Sequence, residues 1–441
     1  MAQQKSYRYA FIVITTLFFL WGFITVLVDS LIPRLRDVFE LSYFQAGLVQ
    51  FAFFAAFFIL SIPSGFILAK IGYKKGILLG LTAMSIGCLL FYPASSYRNF
   101  EIFLIGYFTL AGGITILQVA ANPYVALLGS EKGASSRLNL SQAFNSLGTA
   151  IAPVIGAMFL LSDTIKSSEE ILVLSDVDKG TYYISEAMTV QKPFLFIAGF
   201  IGLLALLFLF IKLPKLIKAS PRGGYGSLLK NKMVRLGAFG IFVYVGAEVA
   251  IGSYLVNYFL EMNLAKVITE NETLKRIAER ILNSDLASMD SKAIVGAFVV
   301  FYWSGAMVGR FIGAYLTKIM APARVLSIFA ILAVTMLLIS INTHGIVAMW
   351  SILAVGLFNS IMFPTIFTLT LEGLGNLKPQ ASGLLCMAIV GGALIPPAYG
   401  FLTDNVGFKL SLLLLVLCYG YILYYGVKKH KKIDINPTKI I

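Results

Sequence analysis

A run of about 20 consecutive apolar residues, at 1.5 Å of rise per residue, is long enough to cross the hydrocarbon core of a bilayer as one helix. This chain contains such runs from end to end. Candidate spans fall near residues 9–33, 43–69, 76–93, 100–128, 138–161 and 193–213. Beyond a basic stretch come 235–260, 291–317, 323–341, 345–371, 380–402 and 408–427. Backbone in lipid must satisfy its own N–H and C=O groups, so only helices and closed barrels can cross. The runs are continuously apolar instead of alternating over about 10 residues, which excludes a barrel. The expected fold class is therefore an all-α membrane protein of twelve transmembrane helices. Composition agrees, since 13% of residues are charged against about 25% in soluble domains. A mean hydropathy of +0.85 over the whole length rules out a soluble globule carrying one anchor.

The formal net charge of +14 invites a nucleic-acid reading, which its placement defeats. If the N-terminus is cytoplasmic, 22 of the 35 basic residues fall on the inside, among them Lys70, Lys74, Lys75, Lys318 and the cluster from Lys212 to Arg235. Acidic residues gather in the two long outside loops, 162–192 and 261–290, as Glu169, Glu170, Asp176 and Asp178, and as Glu270, Glu272, Asp285 and Asp290. This is the positive-inside pattern, and it sets both termini in the cytoplasm. The basic excess reports topology and contact with anionic membrane lipid, with no nucleic-acid partner. Cys88, Cys386 and Cys418 all lie within spans and offer neither a disulfide framework nor zinc spacing. The first span begins after Arg8, is too long for a signal peptide and has no cleavage pattern, so it is expected to remain.

The segment from Lys212 to Arg235 carries seven basic and no acidic residues, with Pro214, Pro221, Gly223 and Gly224. It reads as a cytoplasmic linker, residues 214–234, between six-helix halves at 1–213 and 235–441, part of it helical along the membrane surface. The halves echo each other. Gly65-Phe-Ile-Leu-Ala-Lys70-Ile returns as Gly313-Ala-Tyr-Leu-Thr-Lys318-Ile, and Gly148…Pro153…Gly156 returns as Gly392…Pro397…Gly400. Gln118 and Pro123 sit where Asn359 and Pro364 sit. The offsets are 248, 244 and 241, always pairing a span with the sixth one after it. Two parallel repeats of this kind imply a substrate path between halves that rock against each other.

An ionised side chain in a bilayer core costs roughly 2.5–3.5 kcal/mol or more, so each one needs a reason. Three stand out: Asp29 in span 1, Glu248 near the middle of span 7, and Arg310 near the inner end of span 8. Arg310, beside a turn at Gly309, reads more readily as structural. Neutral polar groups accompany the carboxylates: Gln118 and Asn122 in span 4, Gln142 and Asn145 in span 5, and Asn359 in span 10. Residues three or four apart share a helix face, which joins Gln118 to Asn122, Gln142 to Asn145, and Tyr244 to Glu248. Carboxylates and amides bind sugar hydroxyls, and an aromatic ring covers the apolar face of a pyranose. Tyr244, Tyr254, Tyr302 and Trp303 are candidates for that ring, although packing or interface anchoring is the better reading for Tyr302 and Trp303. His344 and His430 lie outside the spans, and there is no Walker loop, G-x-S-x-G or nucleophile–base set, so no enzyme and no cofactor are expected.

Leu17-Phe-Phe-Leu-Trp-Gly22, Asp29-Ser-Leu-Ile-Pro33, Phe44-Gln-Ala-Gly-Leu-Val-Gln50, Ala120-Ala-Asn122-Pro123-Tyr124 and Leu138-Asn-Leu-Ser-Gln142-Ala-Phe-Asn145 together resemble one family over nearly the whole length. It is the fucose permease and glucose/galactose permease group of the major facilitator superfamily. The segment around Glu248, with Phe358-Asn-Ser-Ile-Met-Phe-Pro364 and Ala388–Pro397, is similar to the glucose/galactose branch. The resemblance implies a multi-pass protein of a bacterial inner membrane that imports a hexose by cation-coupled symport, as a monomer. It places the coupling cation at Asp29, with Glu248 the alternative, and sugar contacts at Gln142 and Asn145. Gln118 stands where the proton-coupled fucose branch has a glutamate, which leans the cation from H+ toward Na+ held by Asp29 and Gln118. Other sugars (N-acetylglucosamine or fucose) and a drug or metabolite exporter are the alternatives.

Overall fold

The computed structural model describes residues 2–29, 43–160, 175–216 and 224–435, and among these there is no β-strand. The long helices are α1 Ala2–Asp29, α2 Tyr43–Ile71, α3 Tyr73–Ser96, α4 Phe100–Leu127, α5 Ala134–Leu160 and α6 Asp176–Phe210. After them come α7 Lys232–Glu261, α8 Val299–Ile319, α9 Pro322–Asn342, α10 Gly345–Asn359, α11 Met362–Leu371, α12 Lys378–Met387 and α13 Gly391–Ile435. Ten stretches of the described residues are long and apolar enough to cross a membrane. The last of them, Gly375–Lys431, is broken at Gly407, whose φ of 80° is open to glycine at little cost, and so supplies two legs. Helix α5, 27 residues long, adds another of spanning length. Among the described residues this gives the twelve spanning helices read from the sequence.

The two segments read as outside loops differ from expectation. Residues 176–192 form the first half of α6, and 161–174 lie outside the described residues. Ser175 caps α6 by accepting the Asp178 N–H at 3.2 Å, so a polar segment read as loop starts a helix. In the second loop, short helices Leu264–Glu270 and Glu272–Leu282 press Leu264, Ile268, Leu274 and Ala278 inward. Asn271 caps the latter, and Asn283, with φ 51°, ends it. The linker is helical over Tyr225–Lys230, with 217–223 outside the described residues.

The chain divides into two compact units, one of residues 1–129, 144–225 and 374–387, the other of 130–143, 226–373 and 388–441. In the first unit α3 packs on α4 and α6, and α2 on α4 and α12. Backbones meet closely where glycines face each other: a Cβ on Gly80 would lie 2.9 Å from the Gly113 carbonyl oxygen. Lys74 Nζ donates to the Leu209 carbonyl at 2.7 Å, closing the C-terminal end of α6 with a cation. In the second unit α7 packs on α13 and α11, α8 on α10, and α9 on α10 and α13.

Each sequence half lends one segment to the unit of the other. The start of α5 joins the second unit through polar side chains on one face: Ser135 Oγ and Thr368 Oγ1 are 2.6 Å apart, Asn139 Nδ2 donates to Thr365 Oγ1 at 3.1 Å, and Ser136 Oγ donates to the Ala314 carbonyl at 2.6 Å. Helix α12 joins the first unit at Gly65, where a Cβ would lie 3.0 Å from the Pro379 carbonyl oxygen. The echoed glycines Gly65 and Gly313 thus lie beside the two lent segments, Gly313 with its Cβ position 3.9 Å from Asn139 Oδ1.

Candidate functional site

A proline inside a helix has no N–H to give to the carbonyl four residues earlier, which must find another donor or remain unsatisfied. Pro123 and Pro364, the pair that echoes between the halves, release the carbonyls of Val119 and Ser360. The two are captured differently. Ser382 Oγ of α12 donates to Val119 at 2.8 Å in the first unit. In the second unit the donor is Arg310, whose Nε reaches the Ser360 carbonyl at 3.2 Å. Helix continuity is lost there, between Asn359 at the end of α10 and Met362 at the start of α11.

Arg310 can reach that carbonyl because α8 lies directly on α10. Gly305, Gly309 and Gly313 recur every four residues on α8. A Cβ on Gly305 would lie 3.3 Å from the Leu357 nitrogen, and one on Gly309 would collide with the Leu357 carbonyl and the Ser360 side chain. Sequence reading placed Arg310 near the inner end of the span beside a turn. It is in fact mid-helix in α8, and Gly309 is a helical contact residue with no turn.

From this position the Arg310 guanidinium lies 3.7 Å from Glu248 Oε1, each side chain 16% exposed. The Tyr244 hydroxyl, one turn earlier on α7, donates to the same carboxylate oxygen at 2.8 Å. Asn359 is fully buried and donates through Nδ2 to the hydroxyls of Tyr302, at 2.7 Å, and Tyr419, at 3.1 Å. Its Oδ1 has no hydrogen-bond partner among the described residues. The second unit therefore holds the Tyr244–Glu248–Arg310 cluster and, linked to it through the bond from Arg310 to the residue after Asn359, the Asn359–Tyr302–Tyr419 cluster.

Of the residues expected at a site, Tyr244, Glu248 and Asn359 come together here. Trp303 does not join their hydrogen bonds: it is 49% exposed, stands edge-on to Tyr302 at 5.1 Å, and lies against Gly252 of α7. Tyr254 packs with Tyr399 and Phe408 instead. In the first unit, Gln118 is half-buried and Asn122 fully buried on one face of α4. Asn145 Nδ2 donates to the Phe18 carbonyl of α1 at 2.8 Å, an approach that Gly22 permits by lacking a Cβ. Gln142, also buried, belongs to the segment of α5 lent to the second unit. Asp29 is the last residue of α1, and its side chain lies outside the described residues. Among the described residues no group of three His, Cys, Asp or Glu could hold a metal ion. Ser360, Ser382 and Tyr419 were missed in the sequence. The first could have been found from Pro364 four residues on, whereas Tyr419 gives no signal before folding.

Comparison with known proteins gives a consistent result. The Major Facilitator Superfamily matches residues 10–396. The chain is 44% identical to the glucose/galactose transporter of Brucella abortus over 97% of its own length and 95% of that protein's. It is 34% identical to the L-fucose-proton symporter of Escherichia coli, over 96% and 94%. A crystal structure of the E. coli fucose:proton symporter superposes with a TM-score of 0.85 at 32% identity, covering 96% of this chain and 99% of that one. A glycine-faced twelve-helix chain with echoed prolines, matched over nearly its full length by these relatives, is a member of the Major Facilitator Superfamily, in its fucose permease and glucose/galactose permease group.

Proposed function

We propose that this protein imports a hexose of the glucose/galactose kind across a bacterial inner membrane by cation-coupled symport and alternating access, with both termini in the cytoplasm. The observation that carries the reading is the Tyr244–Glu248–Arg310 cluster together with the buried, unpartnered acceptor of Asn359. A pyranose offers several hydroxyl donors and acceptors and one apolar face. Glu248 and Asn359 Oδ1 are acceptors for such hydroxyls, and the phenols supply both hydrogen bonds and ring surface. An exporter of apolar drugs would gain nothing from a buried ion pair and amides, whose desolvation it would have to offset. Gln118, Asn122, Gln142 and Asn145 supply further sugar-binding amides in this reading, and Trp303 an outer aromatic face. The names of the relatives, a glucose/galactose transporter and a fucose-proton symporter, support both the substrate class and the coupling.

Coupling is assigned to a carboxylate, Asp29 or Glu248. The cation is a proton, or sodium held by Asp29 with Gln118. One positive charge crossing 100 mV supplies about 2.3 kcal/mol, and a tenfold gradient costs about 1.4 kcal/mol. One cation therefore sustains roughly 40-fold sugar accumulation, before any chemical gradient of the cation is added. The test is exchange of labelled glucose in proteoliposomes preloaded with unlabelled sugars, with no cation gradient. Exchange competed by galactose supports the hexose assignment. Exchange only with N-acetylglucosamine or fucose would move the substrate, and exchange with none of them would overturn sugar transport.

A further inference from the structure

The symport reading leaves two carboxylates as candidates for the coupling cation, and the surroundings of Glu248 separate them. A carboxylate that carries the coupling cation must bind it favourably, and a fixed positive charge a few ångströms away opposes that binding. Glu248 has one built in. Arg310 cannot lose its proton in a protein, and its guanidinium stands 3.7 Å from Glu248 Oε1. It is not free to swing away at little cost. Its Nε is engaged by the Ser360 carbonyl at 3.2 Å, which the missing N–H of Pro364 leaves in need of a donor. The α8 backbone beneath it is pressed on α10 by Gly305 and Gly309. Tyr244 holds the carboxylate from the other side at 2.8 Å. All of these groups belong to the same compact unit, so a movement of that unit as a body leaves the pair intact.

We propose that Arg310 is the standing counter-charge of Glu248, making Glu248 a sugar-hydroxyl acceptor that sets affinity and not the carrier of the coupling cation. The inference rests on the symport reading. Arg310 acts as a positioning residue, through Glu248. A bound cation at Glu248 would face the guanidinium a few ångströms away. A neutral sugar faces an oriented acceptor whose charge is already balanced.

The test uses the full chain in proteoliposomes with labelled glucose, measuring gradient-free exchange and gradient-driven accumulation separately for each variant. Loss of both in the wild type would refute the symport reading itself and is distinguishable from everything below. With the wild type active, E248Q is expected to raise the KM for exchange at least tenfold while saturating sugar still accumulates to the wild-type ratio. R310Q, which strands Glu248, is expected to lose most exchange, and E248Q/R310Q to regain at least a tenth of the rate of E248Q. A role confined to capping Ser360 would leave the double variant as poor as R310Q, and that result overturns the counter-charge. Exchange by E248Q at wild-type KM with accumulation lost would overturn the assignment the other way, making Glu248 the coupling group. Because E248Q keeps the hydrogen bond from Tyr244, its KM and accumulation ratio decide the question even if R310Q fails to fold.

Discussion

Replacing Asn359 with leucine isolates the energetics of the buried patch. The side chain is similar in volume, so no large cavity opens, and the loss is polar. Two hydrogen bonds disappear, to Tyr302 at 2.7 Å and Tyr419 at 3.1 Å. Interhelical bonds in membrane proteins average about 0.6 kcal/mol, which gives on the order of 1 kcal/mol. The larger effect is on the partners. Both phenols are fully buried, and a stranded buried polar group costs about 1–3 kcal/mol. The stranding of two hydroxyls, about 2–6 kcal/mol, outweighs the bonds, and the total is on the order of 3–7 kcal/mol. Smaller chains lose about 2–4 °C per kcal/mol; at half that sensitivity for a longer chain, N359L should melt roughly 3–14 °C below the wild type in detergent. The decisive variant is N359L/Y302F/Y419F, which removes the stranded hydroxyls with their partner. It should recover more than half of the deficit, read by thermal unfolding monitored through monodispersity. A triple variant no more stable than N359L would refute the reasoning, because the cost would then be packing and not orphaned polar groups.

Other expectations follow from single contacts. D29N should abolish uphill sugar accumulation, and retained accumulation in vesicles would remove Asp29 from coupling. G309A places a methyl against the Leu357 carbonyl; overpacking costs about 1–3 kcal/mol, so lower thermal stability and slower transport are expected, and wild-type values for both would contradict the close approach of α8 and α10. Ser135 and Thr368 are buried in one compact unit with hydroxyl oxygens 2.6 Å apart, so S135C/T368C should cross-link under mild oxidation and go on transporting, because a unit that moves as a body keeps the two together. Loss of transport on cross-linking, restored by reduction, would show that the start of α5 leaves α11 during the cycle.

The fold was legible because lipid leaves few choices. Continuous apolar runs gave the long helices, and several ends fell within a residue or two, as at Tyr43, Phe100 and Ser291. Errors came where polarity was taken for irregularity. Ser175 with Asp178 three residues on is a helix start, yet the acidic stretch after it read as loop. The breaks within 291–317 and 345–371 also escaped, since hydropathy measures length and not continuity. Pro364 announced the second break, but the capture of the Ser360 carbonyl by an arginine two helices earlier depends on how glycines let α8 settle on α10. The same limit applies to Ser135, Asn139, Thr365 and Thr368. Their spacing marks polar faces, while the pairing of a first-half segment with the second unit exists only in three dimensions. Glu248 and Asn359 were readable as costly residues in lipid; the ion pair that balances one, and the phenols that hold the other, were not.

The most direct test of cation-coupled hexose import is uptake of labelled glucose into proteoliposomes with sodium and proton gradients imposed separately. Accumulation above equilibrium under one gradient, abolished when that gradient is collapsed and competed by unlabelled galactose, is the predicted result and names the cation. Uptake that only ever equilibrates, whichever gradient is imposed, would contradict coupling and leave a passive carrier in its place.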